Sequence, residues 1–444
     1  MQKENKLAQN FTLASLIKFT LPSTLMMVFM SLYQMVDGVF VSNYVGAEAL
    51  SALNIVYPIP SILIAVSIML ATGGSAIIAR YMGEGKTREA KESFTLICVV
   101  AFFFSLLFII LGTVFIEPII RGLGATDALY AYCYDYLLIL ILSCPLSIFQ
   151  MLFQNFLVTA GKPGLGLFCT VLGGMANILL DFVFVGLLSW GVTGAAVATA
   201  MGYGIPAVFG LFYFTFKRKG TLYFVRPKWS GYVLLHTCGN GSSEMVTNLA
   251  NAVTTYLFNV MMLRYVGESG VAAITIVLYA QFLLTSVFMG FSIGAAPIFS
   301  YNYGRQNRER IKKLFRLSMI FSAVFSAGAV LISYLFSRQI VGVFARPGTE
   351  VFEIAIGGLH IFAVSFAFAG FNIFSSALFT AFSNGGISAL ISFSRTFIFL
   401  IGALLFLPVL LGSAGIFMAV PAAEFLSLFV TVFCLIFYRK KYGY

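Results

Sequence analysis

The feature that most constrains this chain is a succession of apolar runs, each of about 20 or more residues with almost no charge. A run of that length crosses a hydrocarbon layer of ~30 Å as a helix. The 444 residues are 60% hydrophobic and 10% charged, against about 25% charged in an ordinary soluble domain. The 41 glycines scattered through the runs suit close helix packing in a bilayer.

The pattern predicts an all-α polytopic membrane protein of twelve spans. They cover about 16–41, 49–79, 93–116, 131–159, 164–186, 191–216, 233–263, 270–300, 314–337, 351–381, 385–409 and 412–438. Turn signals separate several of them, among them "MGEGKTRE" at 82–89, "AGKPG" at 160–164 and "SNGG" at 383–386. The basic start of the chain could be a signal peptide. The first apolar stretch instead runs on to about Val41 and carries Asp37, so it reads as a retained first helix.

The net charge of +11 does not point to nucleic acid, because the basic residues sit in short loops between spans. Of the 27 Lys and Arg, 22 fall on one side of the alternating topology and 4 on the other. The positive-inside rule then puts both termini in the cytoplasm of a cell-membrane protein. Six cysteines show no metal or redox spacing and read as small buried hydrophobes. His236 and His360 are the only histidines, which excludes a histidine-rich metal site. No P-loop, kinase, nucleophile or metal-ligand signature is present, so no enzyme activity and no bound cofactor are expected.

The chain resembles itself. "NYVGAEALSALNIV" (43–56) matches "RYVGESGVAAITIV" (264–277), and Tyr44 pairs with Tyr265, an offset of 265 − 44 = 221. The same offset joins Gly73 to Gly294, Gly83 to Gly304 and Thr159 to Thr380. An even number of spans per repeat makes the halves parallel repeats about an axis along the membrane normal. The expected units are 1–219 and 220–444, each of six spans. Two such lobes around a shared cavity form a transporter design.

Ionisable groups inside spans are costly and mark candidate functional sites. Asp37 lies near the outer end of span 1, and Asp181 near the outer end of span 5. Asn177 precedes Asp181 by four residues and shares its helix face. Thr199 in span 6 lies at a similar depth. Together these oxygens can share a proton or wrap a Na⁺; as plain structure they would hydrogen-bond helices together. The repeat partners of the two acids are Phe258 and Gly402, so only the first lobe has the set. Tyr33, Met30 and Met26 continue the Asp37 stripe inward and are candidate cavity residues, with packing as the plainer reading. Glu244 in span 7 can attract cationic substrates or simply mark a polar helix end. Arg395 and Glu424, in neighbouring spans, read as a buried structural ion pair.

The stretch "DGVFVSNYVGAEALSALNIVYPI" (37–59), the "VTAGKP" turn and "NILLDFVFVGLLSWGVTGAAVAT" (177–199) resemble the MATE multidrug exporters, most closely the MepA-like bacterial branch. The resemblance spans essentially the whole chain. It implies exchange of cytoplasmic organic cations and other amphipathic drugs for H⁺ or Na⁺ by alternating access. It also implies an ion site on Asp37, Asn177, Asp181 and Thr199. Some branches carry a further acid in span 10; this sequence has none in the middle of that span, and its only acid there, Glu353, is at the start. Glu244 matches an acid that those branches have in span 7. The competing reading is a lipid or lipid-linked oligosaccharide flippase of the same superfamily, which would carry more basic residues in its cavity. Expected partners are small organic cations and the lipid bilayer, with no nucleic acid, and a monomer is expected.

Overall fold

The computed structural model describes residues 6–44 and 47–444, without the side chains of 34 and 36–51. Among the described residues there is no strand. The long helices are span 1 (Leu13–Tyr44), span 2 (Pro58–Gly83), span 3 (Thr87–Val114), span 6 (Gly191–Phe216), span 7 (Gly231–Tyr265), span 8 (Glu268–Gly304), span 9 (Arg308–Leu335) and span 12 (Ser413–Tyr442). Span 5 is Pro163–Asp181 continued by a π-helical stretch, Phe182–Leu187. Span 11 is Gly385–Phe393, a π-helical Ser394–Leu400 and Ile401–Leu411.

Spans 4 and 10 are broken. Asp127–Leu142 meets Cys144–Thr159 at 51°, and Glu350–Ala363 meets Phe366–Ala381 at 54°. Pro145 explains the first bend, since proline cannot donate to the preceding turn. The second has no proline. Its position, at 364–365, is the first break moved by the repeat offset of 221. Short helices Ile116–Gly122 and Ser337–Gly342 are related in the same way. Among the described residues nine helices are long and apolar enough to cross a membrane, and the two bent pairs bring this to eleven. Span 7 completes the set of twelve. Its length is 35 residues, and the polar "TCGNGSSE" stretch lowers its average. The second predicted span, read as one helix over 49–79, is instead a short helix Ala47–Val56 followed by Pro58–Gly83.

The fold is two six-helix lobes. They meet through a crossed pair of contacts: span 7 packs along span 2, and span 1 packs along span 8. The seam is made by small residues. A Cβ on Gly73 would lie 2.0 Å from the carbonyl oxygen of Thr237, and one on Gly290 would lie 2.4 Å from Thr24 Cα. Dispersion contacts at that approach hold helices together where no water can be expelled. Large apolar side chains point outward along the spans, among them Val324, Phe406 and Leu410. In water such a surface would drive association; against lipid it is matched.

Candidate functional site

Span 5 builds the first-lobe cluster. Gly166, Thr170, Gly173, Gly174, Asn177 and Asp181 recur at helical spacing and are all buried, so one face of the helix turns into the lobe. Its lower part is made of glycines, which lets neighbouring helices approach. A Cβ on Gly174 would meet the Phe29 ring at 2.5 Å and Tyr33 at 3.1 Å, so span 1 lies directly on it. A Cβ on Gly202 would lie 2.9 Å from Asn177 Cβ, so span 6 closes the other side. Thr199, three residues before Gly202, shares that face of span 6.

The upper part of the face is polar. Asp181 is 1% exposed and Asn177 3%. Thr199 is also buried and its hydroxyl donates to the Ala195 carbonyl at 2.9 Å. Neither the oxygen nor the nitrogen of the Asn177 side chain has a hydrogen-bond partner among the described residues. A buried amide without a partner costs free energy comparable to a lost hydrogen bond. Asp37 lies in span 1, one turn beyond Tyr33; its side chain is outside the described residues. The π-helical turn begins at the residue after Asp181. Such turns are rare and recur at functional sites.

The candidate cavity residues of span 1 lie inside the lobe. Met26, Met30 and Tyr33 are buried and pack with Phe29, Met151 and Ile178. They form the apolar floor beneath Asn177 and Asp181 rather than an open surface. Glu244 stands apart from this cluster, on span 7 in the other lobe, where it is partly exposed. Asn248 donates to its backbone carbonyl at 2.9 Å.

The second lobe has its own buried polar group, at places not equivalent to the first. Arg395 Nε lies 3.5 Å from Glu424 Oε1, so the predicted pair is formed. The other oxygen of Glu424 accepts from Asn372 Nδ2 at 2.8 Å. Asn372 Oδ1 in turn accepts from Thr431 at 2.7 Å. Sequence reasoning missed Asn372 and Thr431. The available signal was an asparagine in the otherwise apolar "FAGFNIF". Arg395 also sits within a π-helical stretch, that of span 11. Each lobe therefore places its π turn at its charged group. Span 7, which carries Glu244, packs on this stretch.

Comparison with known proteins agrees with this architecture. The MatE family model matches the chain twice, over residues 22–183 and 245–405, one match in each half. The chain is 22% identical to the "Multidrug export protein MepA" of Staphylococcus haemolyticus over 428 residues, 96% of this chain and 94% of that one. It is 24% identical to the "FAD transporter" of Shewanella oneidensis over 345 residues, 74% of each. A solved structure described as the outward-facing conformation of a multidrug resistance MATE family transporter superposes with a TM-score of 0.92 at 20% identity, covering 100% of this chain and 99% of that one. With a family match over well more than half its length, the chain belongs to the MatE family of membrane transporters.

Proposed function

We propose that the protein is a secondary antiporter that exports cationic and amphipathic organic compounds from the cytoplasm in exchange for H⁺ or Na⁺. The observation that carries this reading is the buried Asn177–Asp181 pair beside Thr199, present in one lobe and replaced by apolar or small residues at the repeat positions of the acids. The parallel register of spans 1 and 5, fixed by Tyr33 against Gly174, supports adding Asp37 to the set. Burial disfavours the ionised form of a carboxylate, so a proton or a small cation bound there is favoured over a bare charge.

In the proposed cycle the ion enters the first-lobe cluster while the cavity faces outward. Its charge neutralises the acids, the upper parts of spans 1 and 5 repack, and bound cation loses its counter-charge and leaves. The lobes then rock about their crossed seam and open inward, where the ion departs. Each ligand drives the step because it favours a different state. The positive-inside asymmetry of the loops supports placing both termini and the Gly83–Gly304 end in the cytoplasm.

Cationic cargo is favoured by the deep charges. Asp37, Asp181 and Glu244 are acids, and the one deep cation, Arg395, is engaged by Glu424. Cargo rich in phosphate, as for a lipid-linked sugar or a dinucleotide, would need free basic groups in the path. Expression in a host lacking its own drug pumps tests the reading. Resistance to ethidium and other lipophilic cations should rise, and both Asp37→Asn and Asp181→Asn should abolish the rise at equal protein level. Unchanged resistance with wild-type protein in the membrane contradicts it.

A further inference from the structure

The chain just past span 6 carries a basic feature that lies outside the first-lobe cluster. Between Phe216 and Gly231 the chain holds Lys217, Arg218, Lys219, Arg226 and Lys228, and no acid. Among the described residues none of these cations is in an ion pair. A helix C-terminus welcomes some positive charge, but adjacent cations also repel one another where membrane lowers the effective dielectric.

The segment is not a slack connection. The Phe224 N–H donates to the Phe214 carbonyl at 3.1 Å, and the Thr221 hydroxyl to the Ala160 carbonyl at 3.1 Å. The Val225 N–H donates to the Thr95 hydroxyl at 3.1 Å. Leu222 is buried, and the Phe224 ring packs 5.0 Å from that of Phe94. A turn closed by the Gly220 N–H on the Lys217 carbonyl, at 3.0 Å, holds the first three cations together. The backbone that bears them is therefore held against the lobe.

Beneath them lies a groove of about 680 Å³. Its rim is Lys217–Lys219 and its wall is Phe209, Phe212, Tyr213 and Phe216. The wall rings stack in pairs, Phe209 on Tyr213 and Phe212 on Phe216. Phe216 is 73% exposed, so the wall opens to the bilayer. The Lys217 ammonium stands 5.9 Å from the centre of the Tyr213 ring. An apolar wall on the lipid side, with a rim of unneutralised cations at headgroup level, fits an amphiphile with an anionic head.

We propose that this groove binds an anionic phospholipid of the inner leaflet, its phosphate on Lys217–Lys219 and an acyl chain along Phe212 and Phe216. The site stands on one lobe, beside the segment that joins it to the other, and does not depend on which ion or drug is carried.

The test is native mass spectrometry of the full chain released from nanodiscs of phosphatidylcholine with a minor fraction of phosphatidylglycerol. Wild-type protein should retain phosphatidylglycerol about tenfold above its share of the supply. The triple variant Lys217→Gln, Arg218→Gln, Lys219→Gln should lose that enrichment. Lys217→Arg with Lys219→Arg should keep it, as should Arg226→Gln with Lys228→Gln, which lie outside the groove. Phe212→Ala, which leaves every charge in place, should reduce it. No enrichment in wild type, or enrichment that survives the triple variant, overturns the site. Equal loss in the Arg226→Gln, Lys228→Gln protein also overturns it, because the attraction would then be a diffuse property of the loop.

Discussion

Gly83 and Gly304 occupy equivalent places in the two halves, and each is pressed against the helix that carries the other. A Cβ on Gly83 would lie 2.0 Å from the Tyr301 carbonyl oxygen; one on Gly304 would lie 2.2 Å from the Arg80 carbonyl oxygen. Arg80 and Tyr301 are themselves one repeat apart, so the contact is its own image under the pseudo-two-fold axis. It joins the two lobes at the C-terminal ends of spans 2 and 8. Gly83→Ala or Gly304→Ala should push the helices apart at a cost of ~1–3 kcal/mol to the closed state. Cys238 is half-buried in the N-terminal part of span 7 and the other five cysteines are buried, so it is a native reporter. Maleimide labelling of Cys238 should accelerate in both variants; an unchanged rate would show that this crossing does not hold the seam.

The start of the described chain straps the same seam. Leu7, Ala8 and Phe11 are buried. Asn302 donates to the Leu7 carbonyl, the Arg310 guanidinium to the Ala8 carbonyl, and Lys313 to Asn10 Oδ1 at 2.9 Å, all from the second lobe. Lys6 lies against Gly161 at a turn of the first lobe. Truncating Leu7 or Phe11 to Ala should weaken closure by ~2–5 kcal/mol, the usual cost of emptying a packed site. Faster Cys238 labelling with an unchanged amount of folded protein is the expected outcome.

Glu84, just past the end of span 2, sits between Arg80 at 2.9 Å and Lys86 at 2.7 Å. Burial pushes its carboxyl up, but the hydrogen bonds and charges of Lys86 and Arg80 outweigh this and hold it below the ordinary carboxylate range. The sign follows. A lowered carboxyl stabilises fully above its ordinary pKa, and that contribution disappears as pH falls through the lowered value. Because the group is partly exposed, the effect is about 1 kcal/mol or less. The thermal midpoint of wild type should fall more than that of Glu84→Gln when pH is lowered below about 4; parallel curves would remove Glu84 from the account.

Arg395 and Glu424 form the buried pair of the second lobe, with Asn372 and Thr431 completing its hydrogen bonds. Removing one partner leaves an uncompensated charge, at ~3–5 kcal/mol. Arg395→Met and Glu424→Gln should each lower stability sharply, whereas the double variant should recover much of the loss. Thermal unfolding in detergent reads this directly. Additive losses would mean that the two groups do not act as a pair.

Much of this architecture was legible in the sequence because membrane helices must be long and apolar. All twelve spans and the 221-residue repeat could be read from hydropathy and loop glycines. The breaks were harder. Pro145 and the "YPIP" of 57–60 were visible signals for spans 4 and 2, yet an apolar run hides a bend that lipid does not punish. The bend at 364–365 has no proline to signal it. The π turns are equally silent. In the site, Asn177 and Asp181 could be grouped because four residues make one helix turn, and Thr199 followed from depth. Met26 and Met30 were harder to place, because an apolar stripe looks the same whether it floors a lobe or lines a cavity. Asn372 was missed because its importance lies in a partner 52 residues away.

Coupling of an ion gradient to the export of organic cations through the first-lobe cluster is read by ethidium transport in proteoliposomes under an imposed pH gradient alone, and then a Na⁺ gradient alone, with Asp37→Asn and Asp181→Asn beside wild type. Transport driven by one of the two gradients in wild type and absent in both variants is the predicted result. Gradient-driven transport that persists in both variants, or no transport by intact wild-type protein under either gradient, would contradict it.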